Sequence, residues 1–307
     1  PTLGGVRRAV PGTHGTLGPT RVLQESITVD AQAIAVNGME LVSLDGEAAD
    51  GVLTLTTPSA DDSIVLTPGS TVDSGNIQVT SLLGLQFGNM GDGGSIVIDD
   101  TDLVTDNTLV YRGTGSDDTF AVSAAGILSL NDQITVDVAG DLATLTLDGL
   151  DGDDTFAVTA GHGIGTLNLA GGGPSASDVA NLAGDGTAVA ANLSDPSSVT
   201  GGGLGTVNLP GIETVNIDAA TGDVTANGTT GDNEVTYAPT GANAGTITEA
   251  GLNTTINLSN VGDLTIDAAS GSDTVTVQGN VSTNTIGVIR AANTTVAIDA
   301  LQVAAIV

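Results

Sequence analysis

The sequence predicts an all-β protein built as a parallel β-helix, a β-solenoid, with tandem β-sandwich modules as the alternative architecture. Three observations carry the prediction. Apolar residues alternate with Thr and Asn at a period of two in short runs such as "TFAV", "TLNL", "TVNI" and "TINL", the pattern of a half-buried strand. From Leu145 onward these runs recur mostly eight to twelve residues apart, separated by Gly, Asp, Asn and Ser, and no window shows an apolar stripe at helical spacing. Long segments also repeat: "LTLDGLDGDDTFAV" (145–158) aligns without a gap to "LTIDAASGSDTVTV" (264–277), and "GTLNL" (165–169) recurs as "GTVNL" (205–209). A coil that cannot bury its apolar face alone completes its core by stacking on the next, which is the logic of a solenoid of ~20 to 30 residues per turn.

Taken in chain order, residues 1–24 form a basic, Gly- and Pro-punctuated arm, "PTLGGVRRAVPGTHGTLGPTRV" and its continuation, and residues 25–307 an acidic repetitive body. Arg7, Arg8 and Arg21 fall in the arm, and only Arg112 and Arg290 follow it. Within the body, "LQFGNMGD" (85–92) and "INLSNVGD" (256–263) each follow a Gly-initiated strand, "GNIQV" or "GTITE". Gly at the corners supplies positive φ where the chain bends sharply, and Asp and Asn cap exposed backbone there. The chain closes on the apolar run "VAIDALQVAAIV", in which Val303 and Ile306 make a sticky end.

Composition removes several classes of function. Against 36 acidic residues stand five arginines and no lysine, a net charge of -31, so a phosphate-binding footprint is missing and nucleic acid is excluded as a partner. Without Cys or Lys there are no disulfides, thiol nucleophiles, Schiff bases or P-loop. Only 2% of the residues are aromatic, so the core must be built from Val, Ile, Leu, Ala and Thr methyls in thin layers. No run approaches the ~20 apolar residues of a transmembrane helix. Pro1 in place of Met fits a chain from which a leader has been removed.

The acidic corners are the candidate sites. In "GTGSDDTFAV" (113–122) and "GLDGDDTFAV" (149–158), stacked turns would bring together Asp117, Asp118, Asp151, Asp153 and Asp154, with Asp273 in a further corner of the same kind. Such a set offers the about six to eight oxygens of a calcium ion, and the competing reading is a solvated turn in which Asp serves its own backbone. Asp117 and Asp118 are poorly placed as a glycosidase pair, because neighbours in a strand point to opposite faces. His14 and His162 read as surface loop residues, so the chain is expected not to be an enzyme.

These corners resemble the haemolysin-type calcium repeat G-G-x-G-x-D-x-U-x, with the departure that they lie 36 residues apart instead of in tandem nines. At the motif level, "GDDTFAV" (152–158), "GIETVNID" (211–218), "PTGANAGT" (239–246) and "SADDSIVLTPGSTVDSGNIQVTSL" (59–82) resemble the long repetitive surface and extracellular proteins of bacteria, planctomycetes among them. That resemblance implies secretion and a structural or adhesive part, not a reaction. The expectation is therefore an extracellular or cell-surface structural subunit that assembles head to tail with copies of itself, through Arg7, Arg8 and Arg21 at one end and Val303 and Ile306 at the other. A calcium-dependent adhesin and a polysaccharide-active β-helix enzyme are the alternatives, with surface polysaccharide as a further partner.

Overall fold

The computed structural model describes residues 25–29, 32–36, 41–46, 50–57, 62–80, 84–100, 107–138, 142–173, 177–279, 286–290, 294–298 and 304–306. The arm at 1–24, with Arg7, Arg8 and Arg21, lies outside them, as does Val303; Ile306 falls in the last strand, where only the backbone is described.

The described residues contain strands, turns, bends and irregular corners, and no helix. The first strands are β1 (Glu25–Val29), β2 (Gln32–Val36), β3 (Leu41–Asp45), β4 (Val52–Thr57), β5 (Ser63–Pro68), β6 (Gly75–Val79), β7 (Gly84–Gly88), β8 (Ser95–Asp100) and β9 (Asn107–Arg112). Next come β10 (Thr119–Val122), β11 (Ile127–Leu130), β12 (Thr135–Val138), β13 (Leu142–Asp148), β14 (Thr155–Thr159), β15 (Thr166–Ala170) and β16 (Val179–Ala183). They are followed by β17 (Val189–Asn192), β18 (Ser197–Gly201), β19 (Thr206–Leu209), β20 (Thr214–Asp218), β21 (Val224–Asn227), β22 (Glu234–Gly241) and β23 (Ala244–Glu249). The last are β24 (Thr255–Ser259), β25 (Leu264–Asp267), β26 (Thr274–Val277), β27 (Ile286–Arg290), β28 (Thr294–Ile298) and β29 (Ala304–Ile306).

The chain divides into two compact units, residues 1–113 with 126–146, and residues 114–125 with 147–307. Each unit contributes strands to two mixed sheets. In the first, β4 pairs parallel with β8 and β8 with β12, while β3 with β7 and β5 with β9 are the parallel pairs of the other sheet. In the second, β10, β14, β16, β20 and β24 stack parallel in one sheet, and β17, β21, β25 and β29 stack parallel in the other. The β-solenoid expectation holds at this level.

The winding is not that of a simple parallel coil. After β16, β17 enters the other sheet two places beyond the position next to β15; β18 turns back antiparallel to it, and β19 runs antiparallel to β18 and lies in parallel register beside β15. The excursions β5–β6–β7, β22–β23–β24 and β27–β28–β29 do the same. Stacked positions are consequently 35 to 45 residues apart where an excursion intervenes, as at Asn181 and Asn216 or Ser63 and Thr108, and 24 apart where none does, as at Asp154 and Asp178. The turn length expected from sequence is thus met only by the coil that lacks an excursion, because each excursion adds a hairpin.

The period-two pattern is realised as expected. Alternate residues of every well-described strand of the second unit except the terminal β26 are buried, and they stack in columns: Phe120, Phe156, Ala180, Val215 and Ile256 in one, Val122, Val158, Leu182, Ile217 and Leu258 in the next. Burial of such columns is the main stabilising term. On the outer faces Asn side chains bond from rung to rung, Asn208 to Asn168 at 2.8 Å, Asn216 to Asn181 at 2.8 Å, Asn257 to Asn216 at 2.9 Å and Asn227 to Asn192 at 2.9 Å. Among the described residues no helix is long and apolar enough to cross a membrane.

Candidate functional site

The residue just before each strand of one sheet occupies the corner of its rung. In the second unit these residues are Asp118, Asp154, Asp178 and Glu213, and the first three are 2%, 0% and 0% exposed. Their strands start with Thr or Val, whose inward partner one position on is Phe, Phe or Ala, so the corner carboxylate is carried inward by the same alternation that buries the ring.

The carboxylates form a hydrogen-bonded column. The Asp118 amide donates to Asp154 Oδ1 at 2.8 Å, the Asp154 amide to Asp178 Oδ1 at 2.7 Å, and the Asp178 amide to Glu213 Oε2 at 2.8 Å. The corner carbonyls are used as well, by Thr155, Val179 and Thr214 of the following rung. At the start of the column Thr114 donates its amide and hydroxyl to the Asp118 carboxylate. Each buried carboxylate therefore accepts a donor that the bend would otherwise leave unpaired.

The adjacent Asp-Asp pairs work in opposite directions. Asp117 and Asp153 are exposed while Asp118 and Asp154 are buried. The Asp153 amide donates to Asp117 Oδ1 at 3.0 Å, as the Asp118 amide donates to Asp154 Oδ1, so each of the two rungs supplies one donor and one acceptor. The same reciprocal latch recurs at the far end of this unit, where the Ser272 amide donates to Asp232 Oδ1 at 2.8 Å and the Asn233 amide to Asp273 Oδ1 at 2.9 Å. Gly152 permits the close approach: at φ +130°, a Cβ there would lie 2.6 Å from the Ser116 carbonyl carbon and 2.7 Å from the Asp117 nitrogen.

Of the candidate metal ligands, Asp117, Asp118, Asp154 and Asp273 are thus committed to backbone or hydroxyl donors, and Asp151 and Asp153 are exposed. Among the described residues no group of three or more Asp, Glu or His side chains is placed to hold a metal ion. The column's electrostatics are unusual at one point. Burial pushes the Asp154 carboxyl up to about 6; the Asp118 amide bond opposes this, and the Asp118, Asp178 and Asp117 carboxylates add to it. The second oxygens of Asp154 and Asp178 are buried without a hydrogen-bond partner.

His162 is not the surface residue its loop suggested. It is 8% exposed, its Nδ1 accepts the Ile164 amide at 3.1 Å, and burial holds its imidazole below the ordinary value, which keeps the ring neutral as the acceptor role requires. Sequence reasoning also missed Asp178 and Glu213 as members of the column. The signal available was their place immediately before a Val- or Thr-initiated strand.

Comparison with protein-family models, with curated proteins and with solved structures finds no match.

Proposed function

We propose that the protein is an extracellular structural subunit that assembles head to tail, its sheets continuing from one copy into the next. The observation that carries this reading is the strand β26. It pairs parallel with β22 on one side and, among the described residues, has no strand on the other. In β22 the core residues Val235 and Tyr237 are 0% and 1% exposed, whereas Val275 and Val277, their partners in register, are only half-buried. A further rung would complete both columns. The strand "TVTV" carries no charge, proline or bulge of the kind that blunts an edge, and so, among the described residues, presents an unpaired row of backbone donors and acceptors.

The arm at 1–24 suits that edge by charge, since three of the five arginines lie in it and the rest of the chain is acidic. Strand addition by an extended segment is a general way of closing such an edge. The internal geometry favours a structural role in the same way: corner carboxylates and outer asparagines are spent on bonds between rungs. The motif resemblance to bacterial surface proteins supplies the extracellular setting.

Sedimentation velocity over a concentration series tests the proposal. The intact chain is expected to form growing end-to-end species; Thr276→Lys, which places a charge on the exposed face of β26, and deletion of residues 1–24 should each leave folded monomers. An intact chain that is monomeric throughout, or variants that polymerise unchanged, would overturn it.

A further inference from the structure

The buried column of the second unit contains an arrangement that hydrogen bonding between rungs does not explain. Asp154 Oδ1 takes the Asp118 amide, but Oδ2 points into the small space left by the missing side chain of Gly149. A Cβ at Gly149 would collide with Asp154 Oδ2 and would lie 2.8 Å from the carbonyl oxygen of Gly171, so a carboxylate oxygen and a carbonyl oxygen face the same space. Neither oxygen is a donor, and Oδ2 has no partner. Two acceptors lining one small space away from water repel unless a proton or a cation is held there.

The neighbours sharpen the conflict. Asp118 and Asp117 approach from the corner before β10 and Asp178 from the corner before β16, while Glu213, before β20, binds the Asp178 amide; Asp151 and Asp153 of the same turn are exposed. Asp154 and Asp178 therefore each have a carboxylate on either side in the column, and Asp154 is the one that Asp117 approaches as well. At the equivalent corner before β22 the chain uses an amide instead: Asn233 accepts the Thr229 amide through Oδ1 and donates from Nδ2 to Thr229 Oγ1, with Gly228 packed against it. Asn107 fills a related place in the first unit, accepting the Asp62 amide at 2.8 Å.

We propose that the column is a proton-binding site, in which Asp154 is held as the neutral acid with its Oδ2 hydroxyl donating to the Gly171 carbonyl, so that the second unit tightens on mild acidification. The atoms balance simply: one proton is taken from solvent onto Oδ2, Oδ1 keeps the Asp118 amide, and no other bond changes. The Asp154 carboxyl, at about 6 in the fold against 3.8 ordinarily, gives the sign. Between those values the fold binds a proton that the unfolded chain does not, so this contribution grows as pH falls through 6, is complete below 3.8, and is lost on raising the pH.

Urea unfolding of the full chain between pH 4 and 8, for the natural sequence and for Asp154→Asn, tests this. Asn presents the same acceptor to Asp118 and a permanent donor toward Gly171. The ratio of the folding constants, natural over variant, is expected to fall roughly 60-fold from pH 4 to pH 8, with the variant relatively favoured at high pH. An unchanged ratio overturns the proposal. Carboxyl carbon NMR of the natural chain keeps the test decisive if the variant does not fold: one buried aspartate titrating near pH 6 supports the proton site, and none titrating above pH 5 refutes it. Calcium chloride at pH 7.5 is the remaining arm, since a stabilisation confined to the natural chain would mean that a cation fills the space, and the proposal would fail.

Discussion

Gly172→Ala is expected to destabilise the second unit by about 2–5 kcal/mol, while Gly173→Ala, one residue further on, leaves its stability unchanged or raises it by up to about 1 kcal/mol. The two glycines look alike in "AGGG" but stand in different surroundings. Gly172 has φ +95°, where a side chain is strained, and a Cβ on it would run into the carbonyl oxygen of Leu150 on the adjacent rung. That oxygen cannot retreat freely, because the Gly173 amide donates to it at 2.9 Å and Leu150 itself is at φ 74°. A Cβ on Gly173 meets nothing within 4 Å. Urea titrations followed by the fluorescence of Tyr237, which lies in this unit, should separate the two variants clearly; equal midpoints would mean that the rungs are not stacked as described.

Phe156→Ala is expected to cost about 3–5 kcal/mol, more than any single change on the outer faces. Phe120 and Phe156 are both fully buried, in register, with centroids 5.2 Å apart and rings within 5° of parallel. Loss of the ring removes its transfer free energy and the stacking contribution of about 0.5–1.5 kcal/mol. The next position in the column is Ala180, itself 0% exposed, so no larger neighbour is present on that side to collapse into the hole. Phe156→Leu, which refills much of the volume, should lose markedly less in the same denaturation experiment. Similar losses for the two variants would show that the aromatic column is not where the second unit stores its stability.

The repeated segments legible in the sequence turn out to be stacked or equivalent parts of the fold. "TFAV" at 119–122 and 155–158 pair in exact-residue register as β10 and β14, and "GTLNL" and "GTVNL" pair as β15 and β19. The gapless match of 145–158 to 264–277 superposes β13 and β14 on β25 and β26. Strand direction was not legible. The middle strands "GNIQV", "SSVTG" and "AGTITE" bury alternate residues just as their parallel neighbours do, and a period of two is the same read in either direction. Of the site, the Asp-rich corners and their opposite-facing pairs were visible. Their purpose was not, because composition cannot distinguish an aspartate aimed at a metal from one aimed at the amide of a rung 24 or 36 residues away.

The antiparallel excursions bear on how such a chain reaches its native state. Parallel partners here are separated by 24 to 45 residues, and closing loops of that size before any contact is made is slow and entropically costly. Within an excursion the connections are short, residues 193–196 between β17 and β18 and only Ala242 and Asn243 between β22 and β23. Hairpins of this kind close in about 1–10 μs. Each excursion therefore offers a short-range pairing whose closure is far cheaper than that of any parallel partner, and folding is expected to start from several such points along the sequence instead of from one long-range search.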